Sequence, residues 1–428
     1  MKKLLAIVCL GVFAGLGRPS PASAQSLLIT NARILDGTGG LIERGALVVR
    51  DGTIVSISTA APVVPGARVI DANGMTVMPG FIESHRHVIR GNAAQWMKEE
   101  AVPRMQEFLD AGFTTVLSAG DSLQEIIELR RQLQQGVVKG PRLIVTGRAP
   151  LARPAAPAGG GGGRAAGPGG DPARFDVSRP PLRPTQAAVG IPAEETRATI
   201  ETLAKAGVDA IKTAIITTPG GPEKDTLALI VREGKRHNIP TITHAVSVLD
   251  TLAAVDAGVA SLVHTPHIGR LEEDAAAVQT IAKSGIPMMS TLGIFIPHFD
   301  EENKPTFRDR GPFPMATISS GGQGPVNARL LWEAGITYGY GTDSTWLPKE
   351  SFAQELRALN LMFSPKDIVS ILTRNAAATI LRGNRLGTLE AGKIADIVML
   401  NGDPLANVTN LLNVVVVIKE GAIVVDRR

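Results

Sequence analysis

Residues 77–87 read Val77-Met78-Pro79-Gly80-Phe81-Ile82-Glu83-Ser84-His85-Arg86-His87. An apolar run ends in two histidines separated by one residue. In a strand, residues two apart point to the same face, so both imidazoles can reach one point while Arg86 faces the other way. The whole stretch is expected to be one strand.

Working outward, this stretch is the first of eight short apolar segments. The others are 114–118, 142–146, 210–213, 241–244, 261–264, 287–290 and 337–343. Helical patterns lie between them, as in Glu194 to Ala206, Lys224 to His237 and Asp274 to Lys283. Repeated strand–helix alternation predicts a parallel sheet with helices outside it, and eight units predict an α/β chain of (β/α)8 TIM-barrel type. An open doubly wound sheet is the alternative topology.

The barrel reading gives the polar residues a place. The chain has seven histidines. His85 and His87 close the first strand, His244 the fifth and His264 the sixth. Lys212 ends the fourth and Asp343 the eighth, in Gly341-Thr342-Asp343-Ser344. A barrel gathers these carboxyl ends at one mouth. Imidazole and carboxylate suit zinc, and also manganese or cobalt. An HxH pair alone can be two inward polar residues, and Gly-Thr-Asp-Ser alone is an ordinary turn. The joint order of six ligand-type residues at strand ends is what carries weight. His267 and His298 lie in later loops and are candidate substrate contacts. His237 is expected to be structural, at a helix end. Tyr338 and Tyr340 read as strand packing.

Both ends of the chain have a different texture. Residues 25–76 and 386–428 are apolar runs joined by tight turns, among them Asp51-Gly52 and Glu420-Gly421, which are hairpin signals. They are expected to form one small β-sandwich domain assembled from both termini, around a barrel over 77–385. In Ala149 to Gly170, 19 of 22 residues are Ala, Pro or Gly. The span 149–185 therefore reads as a flexible Gly/Pro/Ala-rich insertion, either a lid over the mouth or an inert surface loop.

Composition limits the function classes. The 428 residues are 44% hydrophobic and 20% charged, which suits a large packed core. The only cysteine, Cys9, excludes a disulfide scaffold. The net charge of +4 owes three positives to Lys2, Lys3 and Arg18, in a leading stretch without acids. The rest is nearly balanced, so no nucleic-acid partner is expected. Residues 1–24 read as a signal peptide. A basic start precedes the apolar run Leu4 to Leu16, and Ala22-Ser23-Ala24 fits a small-residue cleavage site. A periplasmic or secreted protein is the expectation. No later run is long enough for a stable membrane span. The sequence leaves a homo-oligomer open.

With these stretches in view, the sequence resembles the metal-dependent amidohydrolase superfamily, in its imidazolonepropionase-like and Xaa-Pro dipeptidase-like branch. The supporting segments are residues 77–87, 206–212, Thr243-His244-Ala245, 258–264, Gly341-Thr342-Asp343-Ser344 and 387–396. The resemblance implies a binuclear centre of two divalent ions, Zn2+ first. His85, His87 and Asp343 would hold the buried ion and His244 and His264 the second. Lys212, carboxylated by CO2, would bridge both. A lysine in a dry site has a lowered pKa, and its neutral amine can take up CO2. Glu83 stands where the family more often has Asp. The implied activity is hydrolysis of a small amide or peptide bond by metal-activated water, with Asp343 as the catalytic base. The implied substrates are a dipeptide such as Xaa-Pro or an N-acyl amino acid. A cyclic amide, lactone or ester on the same centre is the alternative.

Overall fold

The structure, a computed structural model, describes residues 26–153, 187–295, 298–299, 305–306 and 315–428, with the side chains of 295–322 outside that description. Two eight-stranded sheets organise it.

The first sheet joins both ends of the chain. From the front come β1 (Leu27–Leu35), β2 (Leu41–Arg50), β3 (Thr53–Ser58), β4 (Arg68–Asp71) and β5 (Thr76–Pro79). From the back come β16 (Ile397–Leu400), β17 (Val414–Lys419) and β18 (Ala422–Asp426). The strand order is β18-β17-β16-β5-β1-β2-β3, with β4 also on β1, and every pairing is antiparallel except β1 with β4 and β5. Alternate residues of these strands face one enclosed core: Leu27 and Ile29, Leu47 and Val49, Ile397 and Met399, Val416 and Ile418. One sheet face thus supplies its own interior, as the sandwich expectation requires. The two hairpin signals are both realised. Asp51 and Gly52 have φ of 49° and 72°, and Glu420 and Gly421 have 52° and 77°. Positive φ at both central residues matches the strand twist, and glycine accepts it without strain. The two tips meet: a Cβ on Gly421 would lie 2.8 Å from the Gly52 Cα.

The second sheet is the barrel. Its strands are β6 (Phe81–Arg86), β7 (Phe113–Ser118), β8 (Arg142–Arg148), β9 (Ala210–Ala214), β10 (Thr241–His244), β11 (Ser261–Val263), β12 (Met288–Met289) and β15 (Tyr338–Gly339). They follow one another in chain order, every pairing parallel. Backbone bonds close the ring between first and last strands: Ser84 N donates to Tyr340 O at 3.1 Å, and Asp343 N to His85 O at 2.8 Å. A ribbon of β13 (His298–Phe299) and β14 (Pro305–Thr306) lies in the excursion between β12 and β15. The expected helices are present at 193–206, 223–236 and 275–283. His237 caps the second of these, at the helix end predicted for it. Among the described residues, no helix is long and apolar enough to cross a membrane.

Two expectations change in detail. The stretch 77–87 is two strands, not one. Residues through Pro79 pair with β1 and β16 in the first sheet, and the barrel starts at Phe81. Gly80 is the joint, because a Cβ there would meet Thr114 Oγ1 at 2.4 Å. The apolar run Val77 to Ile82 continues unbroken across this joint, so periodicity alone gave no sign of it. Gly80→Ala is expected to cost about 1–3 kcal/mol by overpacking. Urea denaturation measures it, and a loss under about 0.5 kcal/mol would mean that Thr114 yields freely. The second change concerns the insertion. Its first residues are packed: Ala149 and Leu151 are buried in the barrel core, and Arg153 N donates to Val189 O at 2.8 Å. Residues 154–185 of the expected insertion lie outside the described residues.

Candidate metal centre

Parallel, in-register pairing sets the height of each candidate ligand. Lys212 pairs with Ile242, two residues before His244, and His244 pairs with Val263, so His264 comes one residue further along. The His244 and His264 rings are 4.3 Å apart and His264 and His85 5.2 Å. Lys212 lies inside β9 rather than at its end, and is 8% exposed.

Asp343 is the hub. Its Oδ1 is 3.1 Å from His85 Nε2 and 3.0 Å from His87 Nε2. Its Oδ2 is 3.7 Å from His264 Nε2. Ligand atoms of His85, His87 and Asp343 all fall within 4.8 Å of one another, close enough to share one cation. Among the described residues, Asp343 Oδ1 is buried without a hydrogen-bond partner, and so is His85 Nδ1 on the other side of its ring. A buried carboxylate oxygen set between two imidazole nitrogens and bonded to neither fits a cation better than a packed core. Two of these residues have backbones in the left-handed region, His264 at φ 76° and Asp343 at φ 50°. Such conformations cluster where a site fixes side-chain direction.

The electrostatics favour ligation. Burial pushes His85 down to about 4 and His244 to about 3, and holds His264 well below its ordinary value. These imidazoles are therefore neutral at neutral pH, with lone pairs to donate. Burial acts to raise the Asp343 carboxyl, but His85, His87 and His264 hold it well below the usual range, so it is ionised. Burial lowers the Lys212 amine to about 7, against the pull of Asp343 and with the help of Arg148. An amine so placed is substantially neutral and nucleophilic.

A supporting layer fixes the two ligand-bearing segments to each other. Glu83 Oε1 accepts from His85 N and Thr342 N, both at 3.0 Å, and Oε2 accepts from Thr342 Oγ1 at 2.8 Å. One buried carboxyl, pushed up to about 7 by desolvation, thus clamps the HxH strand to the Asp343 loop. Asp121 accepts from Val88 N, Ile89 N and Ser118 Oγ, bracing the chain just after His87. Arg86 points away from the two histidines, as alternation predicts. It is buried, bonds to Thr342 Oγ1 at 3.2 Å and to Trp346 O, and lies 5.3 Å from the Phe108 ring centre.

Of the weaker candidates, His267 comes near the centre. It is close enough to His244 to depress its pKa, and burial lowers its own to about 4. The backbone of His298 lies in β13, but its side chain falls outside the described residues. Tyr338 and Tyr340 are fully buried. Sequence reasoning missed Asp121, Thr291 and Glu355. Thr291 directly follows a predicted strand, so the strand-end rule pointed to it. Glu355 lies on a helix outside the barrel and had no local signal.

Known proteins resemble this chain in sequence and in fold. Over 116 residues the chain is 35% identical to an N-acyl-D-aspartate deacylase of Alcaligenes xylosoxydans xylosoxydans, covering 27% of this chain and 22% of that protein. It matches 40% of itself to 36% of an imidazolonepropionase of Thermoanaerobacter pseudethanolicus, at 29% identity. The chain thus spans about a fifth to a third of these two relatives. A longer match, 26% identical over 404 residues, covers 87% of this chain and 90% of an imidazolonepropionase of Salinispora arenicola. A crystal structure of a Xaa-Pro dipeptidase with bound methionine has the same fold, with a TM-score of 0.72 at 22% identity, covering 93% of this chain and 99% of that one. The family model described as the Amidohydrolase family matches residues 76–424, the barrel together with β5 and the C-terminal strands of the small sheet, and the chain belongs to that family.

Proposed function

We propose that the chain is an exported hydrolase that cleaves a small amide or peptide bond, in a dipeptide such as Xaa-Pro or an N-acyl amino acid, at a centre of two divalent ions. The observation that carries the reading is the convergence of His85, His87 and His264 on Asp343 at the mouth of a closed barrel. His85, His87 and Asp343 would hold one ion, and His244 and His264 the other. Lys212, as its carbamate, would sit between them. The donor set suits Zn2+. Bound there, such ions acidify a water molecule and polarise a carbonyl oxygen.

The chain's own groups do the rest. Neutral His85, His244 and His264 donate lone pairs without competing charge. Ionised Asp343 accepts the proton of the attacking water on a carboxylate oxygen and returns it to the leaving nitrogen. Glu83 and Asp121 keep the ligand segments in place. Export rests on the reading of residues 1–24. A cyclic amide is the second reading, favoured by the nearly full-length match to an imidazolonepropionase.

Metal analysis beside a substrate panel tests this. The mature protein is expected to hold about two ions per chain. It should lose turnover on chelation, and regain it with zinc, manganese or cobalt. The panel contains dipeptides, N-acyl amino acids, cyclic amides and lactones. A protein that binds no metal, or turns over equally after thorough chelation, would sink the proposal.

A further inference from the structure

Thr291 follows β12, buried and with φ 45°. A β-branched residue in that region is a backbone outlier, held only where its surroundings over-determine it. Here they do so from both sides. Thr291 N donates to Gly341 O at 3.0 Å. Just before it, Ser290 Oγ donates to Glu355 Oε1 at 2.6 Å. Just after it, Leu292 N and Gly293 N donate to the two oxygens of the same carboxyl, at 3.0 and 2.6 Å. Glu355 is 1% exposed and projects from the helix Pro348–Asn360. A Cβ on Gly293 would lie 2.7 Å from Glu355 Oε2, so the carboxyl reaches this turn because that residue is glycine. The turn aims one group. Thr291 Oγ1 lies 2.7 Å from His264 Nδ1.

We propose that Thr291, held in its strained turn by Glu355, is a positioning residue that accepts a hydrogen bond from His264 Nδ1 and so keeps the Nε2 lone pair turned toward Asp343. A neutral imidazole carries one ring proton. Placing it on Nδ1 leaves Nε2, 3.7 Å from Asp343 Oδ2, as the ligand atom. The role for the second ion rests on the metal-centre reading above; the hydrogen bond does not. Neither Thr291 nor Glu355 needs to touch substrate.

The test compares Thr291→Val, which keeps the branched shape but lacks the hydroxyl, with Thr291→Ser, which keeps the hydroxyl. Losing such an outer partner typically weakens metal binding 10–100-fold. Zinc titration of the metal-free protein should show roughly that loss for the second ion in Thr291→Val. The visible spectrum of the cobalt form should change as well. Thr291→Ser should bind within about threefold of wild type. Wild-type affinity and an unchanged cobalt spectrum in Thr291→Val would overturn the assignment. Should that variant not fold, histidine proton–nitrogen correlation spectra of the metal-free wild type decide the matter. The Nδ1–H tautomer of His264 supports the proposal and the Nε2–H tautomer overturns it. A wild type without metal affinity would instead defeat the metal-centre reading, and the tautomer would still settle the hydrogen bond.

Discussion

Asp343→Asn is expected to lower the maximal rate at least roughly a hundredfold while substrate binding is retained. The substitution keeps the shape and one oxygen ligand but removes the proton acceptor. It should not disturb the backbone, because asparagine tolerates φ near 50°, the value at this position. The bond from its N–H to His85 O also survives. His85, His87, His244, His264 and Lys212 would still supply ligands, so metal content should fall only modestly. Proton transfer is typically worth 10²–10⁴-fold, and weaker metal polarisation adds to the loss. Metal content and turnover, measured side by side for both proteins, check the expectation. A variant that holds its ions and loses less than about tenfold in rate would assign the base to another group.

Lys212→Ala is expected to drop the metal content from about two ions to about one per chain and to abolish most activity. The fold should survive, since Lys212 is one residue of a central strand whose backbone pairings do not need its side chain. What is lost is an amine placed among Asp343, His85, His244 and His264 in the interactions that set their charge states. Short-chain carboxylic acids supplied in solution should restore part of the activity, by filling the space with an anion. A variant with two ions and near-normal turnover would end the bridging role. One that loses activity with both ions still bound would separate Lys212's part in turnover from its part in metal retention.

These two variants address residues that were legible in the sequence. His85, His87, His244 and His264 could be found because each follows a short apolar strand, and parallel strands of one barrel end at one mouth. Asp343 could be placed by the same rule; Lys212 was found by it although it lies inside β9, and the role of each comes from the family resemblance. Glu83 was visible, but its clamp on Thr342 was not. That contact joins residues 259 positions apart, across the seam where the barrel closes. Glu355 was invisible for a related reason. A glutamate on an amphipathic helix reads as a solvated side chain, and only the packing of that helix against the barrel buries it beneath the turn at Thr291.

The sequence by itself determined the alternation of strands and helices, the hairpins at Asp51-Gly52 and Glu420-Gly421, and the strand ends that carry the ligands. All of these are local: a period of two or 3.6 residues, a glycine where φ must be positive, a polar residue where an apolar run stops. The tertiary structure alone decided where the barrel begins, because residues through Pro79 pair in one sheet and those from Phe81 in the other, with Gly80 between them where no side chain fits beside Thr114. It alone decided the charge states of the centre, because desolvation of His85, His244 and Lys212 depends on what closes around them. It alone decided which buried carboxyls brace the ligand loops, because hydrogen bonds between distant segments exist only after the ring has closed.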